Sequence, residues 1–174
     1  NINKNIKVHC PILGDAKAVI RQLLKRIPLN YKPDKNERQS WFDKIKSWER
    51  ENPTIAIQKG KMIKTSYAIS LLSKITKGKA VVVTDVGQHQ MWVAQYYDFQ
   101  NPRNQITSGG LGTMGFGFPA AIGARFGRKK DAVLAICGDG SFQMNMQEFS
   151  TAVANNRDLK IALINNGHHG MVRQ

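Results

Sequence analysis

Gly138-Asp139-Gly140 and, further on, Asn165-Asn166 are the residues whose types and spacing come nearest to a chemical site. A carboxylate and an amide oxygen 27 positions apart, Asp139 and Asn166, return to one sheet edge if a strand, a crossover helix and a parallel strand fill the interval. Such a pair suits Mg²⁺, which takes hard oxygen ligands and completes its shell with phosphate and water. Gly138 and Gly140 let the backbone approach a ligand closely, and Ser141 opens a helix whose first amides can receive phosphate oxygens. Singly, a Gly-Asp-Gly run is a tight turn and an Asn pair is a cap. The combination, following apolar strands, points to a metal and diphosphate site.

The elements around these residues support that placement. Ala80-Val81-Val82-Val83-Thr84, Ala132 to Cys137 and Lys160 to Ile164 are continuous apolar runs of the kind buried on both faces of a parallel sheet. Helices are expected over Thr65–Thr76, ended by Gly78, near Gln90–Tyr97, near Phe118–Phe126, and through Met146, Phe149, Val153 and Ala154. Strands alternating with helices imply an α/β fold with a doubly wound parallel sheet. Its ligands belong beyond the carboxyl ends of the strands, where Thr84 to His89, Gly138 to Ser141 and Asn165 to His168 converge. A new helix is expected to start with Met171 and Val172, so the sheet reads as incomplete at Gln174. Upstream, Ile6 to Cys10 reads as a short strand, followed by a helix from Ala16 to Ile27 capped by Asp15. Pro33 and Pro53 bound a further helix around Trp41, Ile45 and Trp48. The expected organisation is therefore the tail of another α/β domain over residues 1–27, a linker with one helix over 28–60, and the sheet domain over 61–174.

Composition narrows the class. The net charge is +14, yet Lys/Arg outnumber Asp/Glu by 18 to 6 in residues 1–80 and only by 8 to 6 in residues 81–174. The surplus is scattered Lys without an aromatic stacking platform, so it reads as a solvated surface and not a nucleic-acid face. No apolar run approaches the roughly 20 residues of a membrane span, and no secretory or transit pattern opens the chain. An intracellular protein that begins upstream of Asn1 is the expectation. Two cysteines, Cys10 and Cys137, do not make a disulfide framework or a zinc site.

Gly110-Leu111-Gly112-Thr113-Met114-Gly115 also fits the dinucleotide fingerprint of an NAD or flavin oxidoreductase. That motif should leave an apolar strand directly, and Asn104 to Ser108 is a poor one.

The Gly-Asp-Gly and Asn-Asn pairing resembles the signature of thiamine-diphosphate enzymes. More narrowly, Val86 to Trp92 (Val-Gly-Gln-His-Gln-Met-Trp), Ser108 to Gly117, Gly138 to Glu148 and Gly170 to Gln174 (Gly-Met-Val-Arg-Gln) resemble the blocks of the acetohydroxyacid synthase family in their usual order. Residues 1–27 resemble the end of that family's middle domain. The resemblance implies that Asp139, Asn166 and the backbone carbonyl of His168 ligate Mg²⁺. It implies that Gly87, Gln88, His89, Gly138, Gly140, Ser141, Gly170 and Met171 meet the diphosphate or its surroundings, and that Gly112 and Met114 meet the aminopyrimidine. His168 would act through its carbonyl, leaving its imidazole dispensable. No catalytic acid or base is assigned in this chain, because the activating glutamate belongs to an N-terminal domain absent here; the fragment alone is expected to be inactive.

The activity so implied is decarboxylation of pyruvate and condensation with a second 2-oxo acid, pyruvate or 2-oxobutyrate, in branched-chain amino acid biosynthesis. FAD in the complete enzyme, a homodimer or homotetramer of catalytic subunits, a regulatory small subunit, and the bacterial cytoplasm or plastid stroma belong to the same expectation. Pyruvate oxidases, 2-oxo-acid decarboxylases and glyoxylate carboligases share the Gly-Asp-Gly and Asn-Asn pair and remain the alternatives. Gly167 and His169 depart from the family's usual residues at their positions.

Overall fold

The computed structural model describes residues 2–32, 34–53 and 60–174, and the chain divides into two compact units, Asn1–Asn52 and Pro53–Gln174. Pro33 and residues 54–59 of the expected linker lie outside the described residues.

In the first unit, α1 (Ala16–Arg26) starts where Asp15 accepts the Ala18 N–H at 2.9 Å, and α2 (Lys35–Glu51) starts where Asp34 accepts that of Asn36 at 2.8 Å. Both are the side-chain caps that short helices need for their orphan amides. On α2, Trp41 and Trp48 meet edge to face with centroids 5.7 Å apart, and Lys44 lies over both rings. Ile6 to Cys10 form no strand, contrary to expectation. Every one of those residues is exposed, so the apolar alternation there has neither a neighbouring strand nor a core to hold it.

The second unit is a four-stranded parallel sheet in the order β2-β1-β3-β4, built from β1 (Val81–Thr84), β2 (Gln105–Thr107), β3 (Val133–Gly138) and β4 (Lys160–Ile164). The alternation of side chains decides what covers it. Val81, Val83, Val133, Ala135 and Cys137 point to one face, packed by Phe118, Ala121 and Ile122 of α5 (Gly117–Gly127) and Ala152 of α7 (Phe149–Ala154). Val82, Leu134 and Ile136 point to the other, packed by Ile69 of α3 (Thr65–Thr76) and by Val93 of α4 (Gln88–Tyr96) with the adjoining Tyr97. Covering both faces explains why β1 and β3 are apolar without interruption and makes the sheet doubly wound.

Three details differ from the pattern expected of the sequence. The poor strand at Asn104 to Ser108 does pair, with Gln105, Ile106 and Thr107 opposite Val82, Val83 and Thr84. At a half-exposed edge of three residues, polar side chains cost little. The helix expected through Met146 to Ala154 opens as a single 3-10 turn (Met146–Glu148) and is α-helical only in α7, while a separate short helix, α6 (Asp139–Gln143), precedes it across a break. Asn145 at the break turns its side chain to donate to the Gly115 carbonyl at 2.8 Å. The end of α3 is made by Lys77, left-handed at φ 52°, ahead of Gly78 at φ 64°. A Cβ on Gly78 would stand 2.0 Å from the Asp98 carbonyl oxygen.

Among the described residues no helix is long and apolar enough to cross a membrane. The two thiols differ sharply. Cys10 is exposed, whereas Cys137 is buried in β3, and burial together with the nearby Asp85 charge pushes its pKa up to about 12. Because the thiolate is the reactive species, iodoacetamide near neutral pH is expected to give one adduct, on Cys10, with the second appearing only on denaturation. Two adducts on the native chain, counted by mass spectrometry, would contradict the packing of β3.

Candidate functional site

The chain leaves β1 through α4 toward β2 on one side and leaves β3 through α6 and α7 toward β4 on the other, so the sheet's switch point lies between β1 and β3. Crevices form at such points beyond the carboxyl ends of the strands. A half-open cleft of about 120 Å³ lies there, room for on the order of four water molecules.

The structure brings most of the expected site residues to this cleft. Gly87, Gln88 and His89 come from the end of β1 and the start of α4; Gly138, Asp139, Gly140 and Ser141 from the turn between β3 and α6. Asn166, His168, Gly170 and Met171 come from the segment between β4 and α8 (Gly170–Arg173), and Met114 from the loop between β2 and α5. Gly112 does not line the cleft; it sits beside it at φ 63°, where a Cβ would be 3.9 Å from Val86. Ser141 is the third residue of α6 and not its opener, and its hydroxyl donates back to the Gly138 carbonyl at 3.2 Å.

The walls of the cleft touch each other closely. A Cβ on Gly140 would be 2.8 Å from the His169 ring, and one on Gly170 would be 2.0 Å from Gln88 Oε1. Asn165 and Asn166 each accept a backbone N–H two residues on, from Gly167 at 3.0 Å and His168 at 3.2 Å, the Asx turns expected of Asn in a tight loop. Asn166 Oδ1 keeps a second lone pair for another partner. The His168 ring turns back to the Asn166 carbonyl, with Nδ1 2.7 Å away.

His89 is 5 % exposed, and its Nε2 is buried without a hydrogen-bond partner. Burial holds its pKa below 6.5, outweighing the pull of the Asp85 charge, of a bond to the Asp85 main chain and of the Asp139 charge. The ring is therefore neutral at pH 7. In the unfolded chain it takes up a proton near 6.5, before the folded chain does, so its contribution to stability is lost as the pH falls through 6.5 toward the depressed value. Thermal melts of the chain between about pH 8 and pH 5 should show this decline, and His89→Gln should flatten it. A melting profile with the same slope in both proteins would mean that His89 is not held neutral.

Asp85 has no role among the residues that the sequence pattern picks out. It is 0 % exposed, and its carboxylate accepts three backbone N–H groups: Val86 at 2.8 Å and Gly115 at 2.9 Å on Oδ1, and Gly117 at 2.7 Å on Oδ2. A carboxylate directly after an apolar strand is the only local signal, and it does not reveal donors 30 residues away. Trp92, Ile164 and Val172 also line the cleft, as does His169. By contrast, the dinucleotide-like run Gly110 to Gly115 lies in turns, with Gly112 and Gly115 at φ 63° and 88°, and α5 opens only at Gly117. It is not a strand-to-helix phosphate loop.

One carboxylate and one amide oxygen, Asp139 and Asn166, lining the cleft beside the Gly138 to Ser141 turn fit a metal-bridged anionic ligand at this place. Comparison with known proteins names the ligand class. Residues 85–174 match the family model for the thiamine pyrophosphate enzyme, C-terminal TPP binding domain. The acetolactate synthase large subunit of Buchnera aphidicola subsp. Schlechtendalia chinensis is 45 % identical over all of this chain, which covers 30 % of that protein. The acetolactate synthase isozyme 3 large subunit of Escherichia coli (strain K12) is 40 % identical, again over the whole chain and 30 % of its own length. The acetolactate synthase 1, chloroplastic, of Nicotiana tabacum is 43 % identical over 99 % of the chain and 26 % of its own length. The chain thus spans about a third or less of the relatives it matches. With the cleft at the switch point and the family model covering the residues that form it, this chain belongs to the thiamine pyrophosphate enzymes, through their C-terminal cofactor-binding domain.

Proposed function

We propose that the chain forms the diphosphate and metal part of the active site of an acetolactate synthase catalytic subunit. The observation that carries this reading is the meeting of the three strand-end clusters in one cleft, in a chain similar along its whole length to acetolactate synthase large subunits. When bound, thiamine diphosphate supplies the carbon nucleophile and electron sink that decarboxylation of a 2-oxo acid needs. The complete enzyme decarboxylates pyruvate and joins the remaining two-carbon unit to pyruvate or 2-oxobutyrate, a transferase step in branched-chain amino acid biosynthesis.

The residues of the cleft fit the assigned roles. Asp139, Asn166 and the His168 backbone carbonyl make an oxygen set with one carboxylate, which suits Mg²⁺ shared with a diphosphate. Among the described residues no group of three His, Cys, Asp or Glu side chains comes together to suit a softer metal. Gly138, Gly140 and Gly170 leave room for the side chains of His89, His169 and Gln88 that close around the cleft, and with Gln88, His89, Ser141 and Met171 they would bound the diphosphate. Met114, which lines the cleft, and Gly112, beside it, would meet the aminopyrimidine.

FAD, self-association as a dimer or tetramer, and a regulatory small subunit, which the name "large subunit" of the relatives suggests, belong to the complete protein. So do residues 1–27 as the end of a middle domain and 28–60 as a linker before the cofactor domain at 61–174. Bacterial and chloroplastic relatives favour the cytoplasm or the plastid stroma.

The test is acetolactate formation from pyruvate by the completed open reading frame, with and without Mg²⁺ and thiamine diphosphate, beside this chain alone. Cofactor-dependent acetolactate from the complete protein and none from the chain is the expected result. Decarboxylation or oxidation of pyruvate without acetolactate would move the protein to a sister enzyme and retain the site.

A further inference from the structure

We infer that Asp85 is a positioning residue: its buried carboxylate ties the loop carrying Met114 to the same point of the sheet that holds His89, fixing one wall of the cleft relative to the other. Asp85 follows β1 directly, and its own N–H is anchored to the Ile136 carbonyl of β3 at 2.9 Å, so its position is set by the two central strands. From there Oδ1 and Oδ2 reach Gly115 and Gly117, on either side of Phe116 and just beyond Met114. Of residues 108–117, Met114 alone lines the cleft. Its loop is otherwise turns, with a second tie from Asn145 to the Gly115 carbonyl. The His89 ring lies against the backbone just after β1 and at the end of β3, where a Cβ on Gly87 would be 2.9 Å and one on Gly138 3.1 Å from its Cε1. Asp85 therefore ties the Met114 loop to the strand end from which Gly87 and His89 follow, without itself lining the cleft.

The chemistry of the group argues against simple packing. Burying a carboxylate is costly unless charge-assisted hydrogen bonds replace its water, and neither ion pair found among the described residues includes Asp85. Its compensation comes from three backbone donors and from the N-terminal end of α5, whose dipole favours an anion there. An amide of the same shape offers one acceptor oxygen, so it can serve the Gly115 side or the Gly117 side and must turn its NH₂ toward the other donor. Asp85→Asn keeps the volume and releases the loop.

This inference rests on the cleft being the thiamine diphosphate site, and the experiment separates the two. In the full-length chain, amide hydrogen exchange without cofactor should be about 10–100-fold faster across residues 113–118 in Asp85→Asn, the effect of losing a charge-assisted bond. Peptides from β1 and β3 should be unchanged. With cofactor, turnover should fall on the order of 100-fold through misplacement of the wall, while the Kd for thiamine diphosphate stays within about threefold. Unchanged exchange in the loop overturns the inference. So does faster exchange spread over the strands with Kd and turnover weakened together, because that is the signature of a merely structural carboxylate. If the unsubstituted protein shows no cofactor-dependent turnover, the reading of function fails, and the exchange of residues 113–118 still decides the role of Asp85.

Discussion

Asp139→Ala in the full-length chain is expected to weaken thiamine diphosphate binding by more than about 100-fold at ordinary Mg²⁺ concentrations, since even an outer partner of a metal ligand is worth 10–100-fold. Asp139 is the one carboxylate lining the cleft among the described residues, and it also lines the adjoining hollow with Gly140 and His168. A divalent cation between a carboxylate and a diphosphate balances charges that otherwise repel. In the proposed ligand set, removing the carboxylate would leave the cation to Asn166 and a main-chain carbonyl, both uncharged. Asp139→Asn retains an oxygen without its charge, so its binding should fall between the two and recover partly at raised Mg²⁺. Trp92 on the cleft wall gives the readout, as a change of indole fluorescence on titrating cofactor at several Mg²⁺ concentrations. Equal affinity in wild type and Asp139→Ala would remove Asp139 from the ligand set.

The legibility of each feature in the residues follows from how local its signal is. β1 and β3 are readable because both faces of each are buried, and burial on two faces is what an uninterrupted apolar run of strand length requires. The cluster of Gly-Asp-Gly and Asn-Asn is readable because a strand-helix-strand unit of that length returns to the same edge. The strand at Gln105–Thr107 is obscured because its place at an edge relaxes the demand for apolar side chains, and its pairing partner lies 23 residues earlier. Ile6 to Cys10 misleads in the opposite sense: the composition of a strand is there, but pairing is a tertiary fact. Asp85 shows the same limit at the site. Its donors, Gly115 and Gly117, are brought to it by the winding of α4 and β2 around the sheet, and no spacing rule for adjacent residues encodes that.

The same contact makes α5 unusually sensitive at its first residue. A Cβ on Gly117 would stand 2.6 Å from the Asp85 nitrogen, 2.7 Å from its Cβ and 2.8 Å from its Cα. These are atoms of a fully buried residue anchored to β3, so the helix end has to move, and the Gly117 N–H to Asp85 Oδ2 bond goes with it. Overpacking together with a lost charge-assisted bond is expected to cost Gly117→Ala roughly 3 kcal/mol or more. Gly123 lies on the same helix with nothing within 4 Å of its would-be Cβ. There, Gly123→Ala removes backbone entropy from the unfolded chain and should stabilise by about 0.5–1 kcal/mol. One substitution type on one helix is thus expected to change sign between its first turn and its second. Urea denaturation of both variants, compared at equal m-values, measures it. Similar midpoints for the two would mean that α5 is not pressed against the end of β1, and the tie between Asp85 and the Met114 loop would lose its geometric basis.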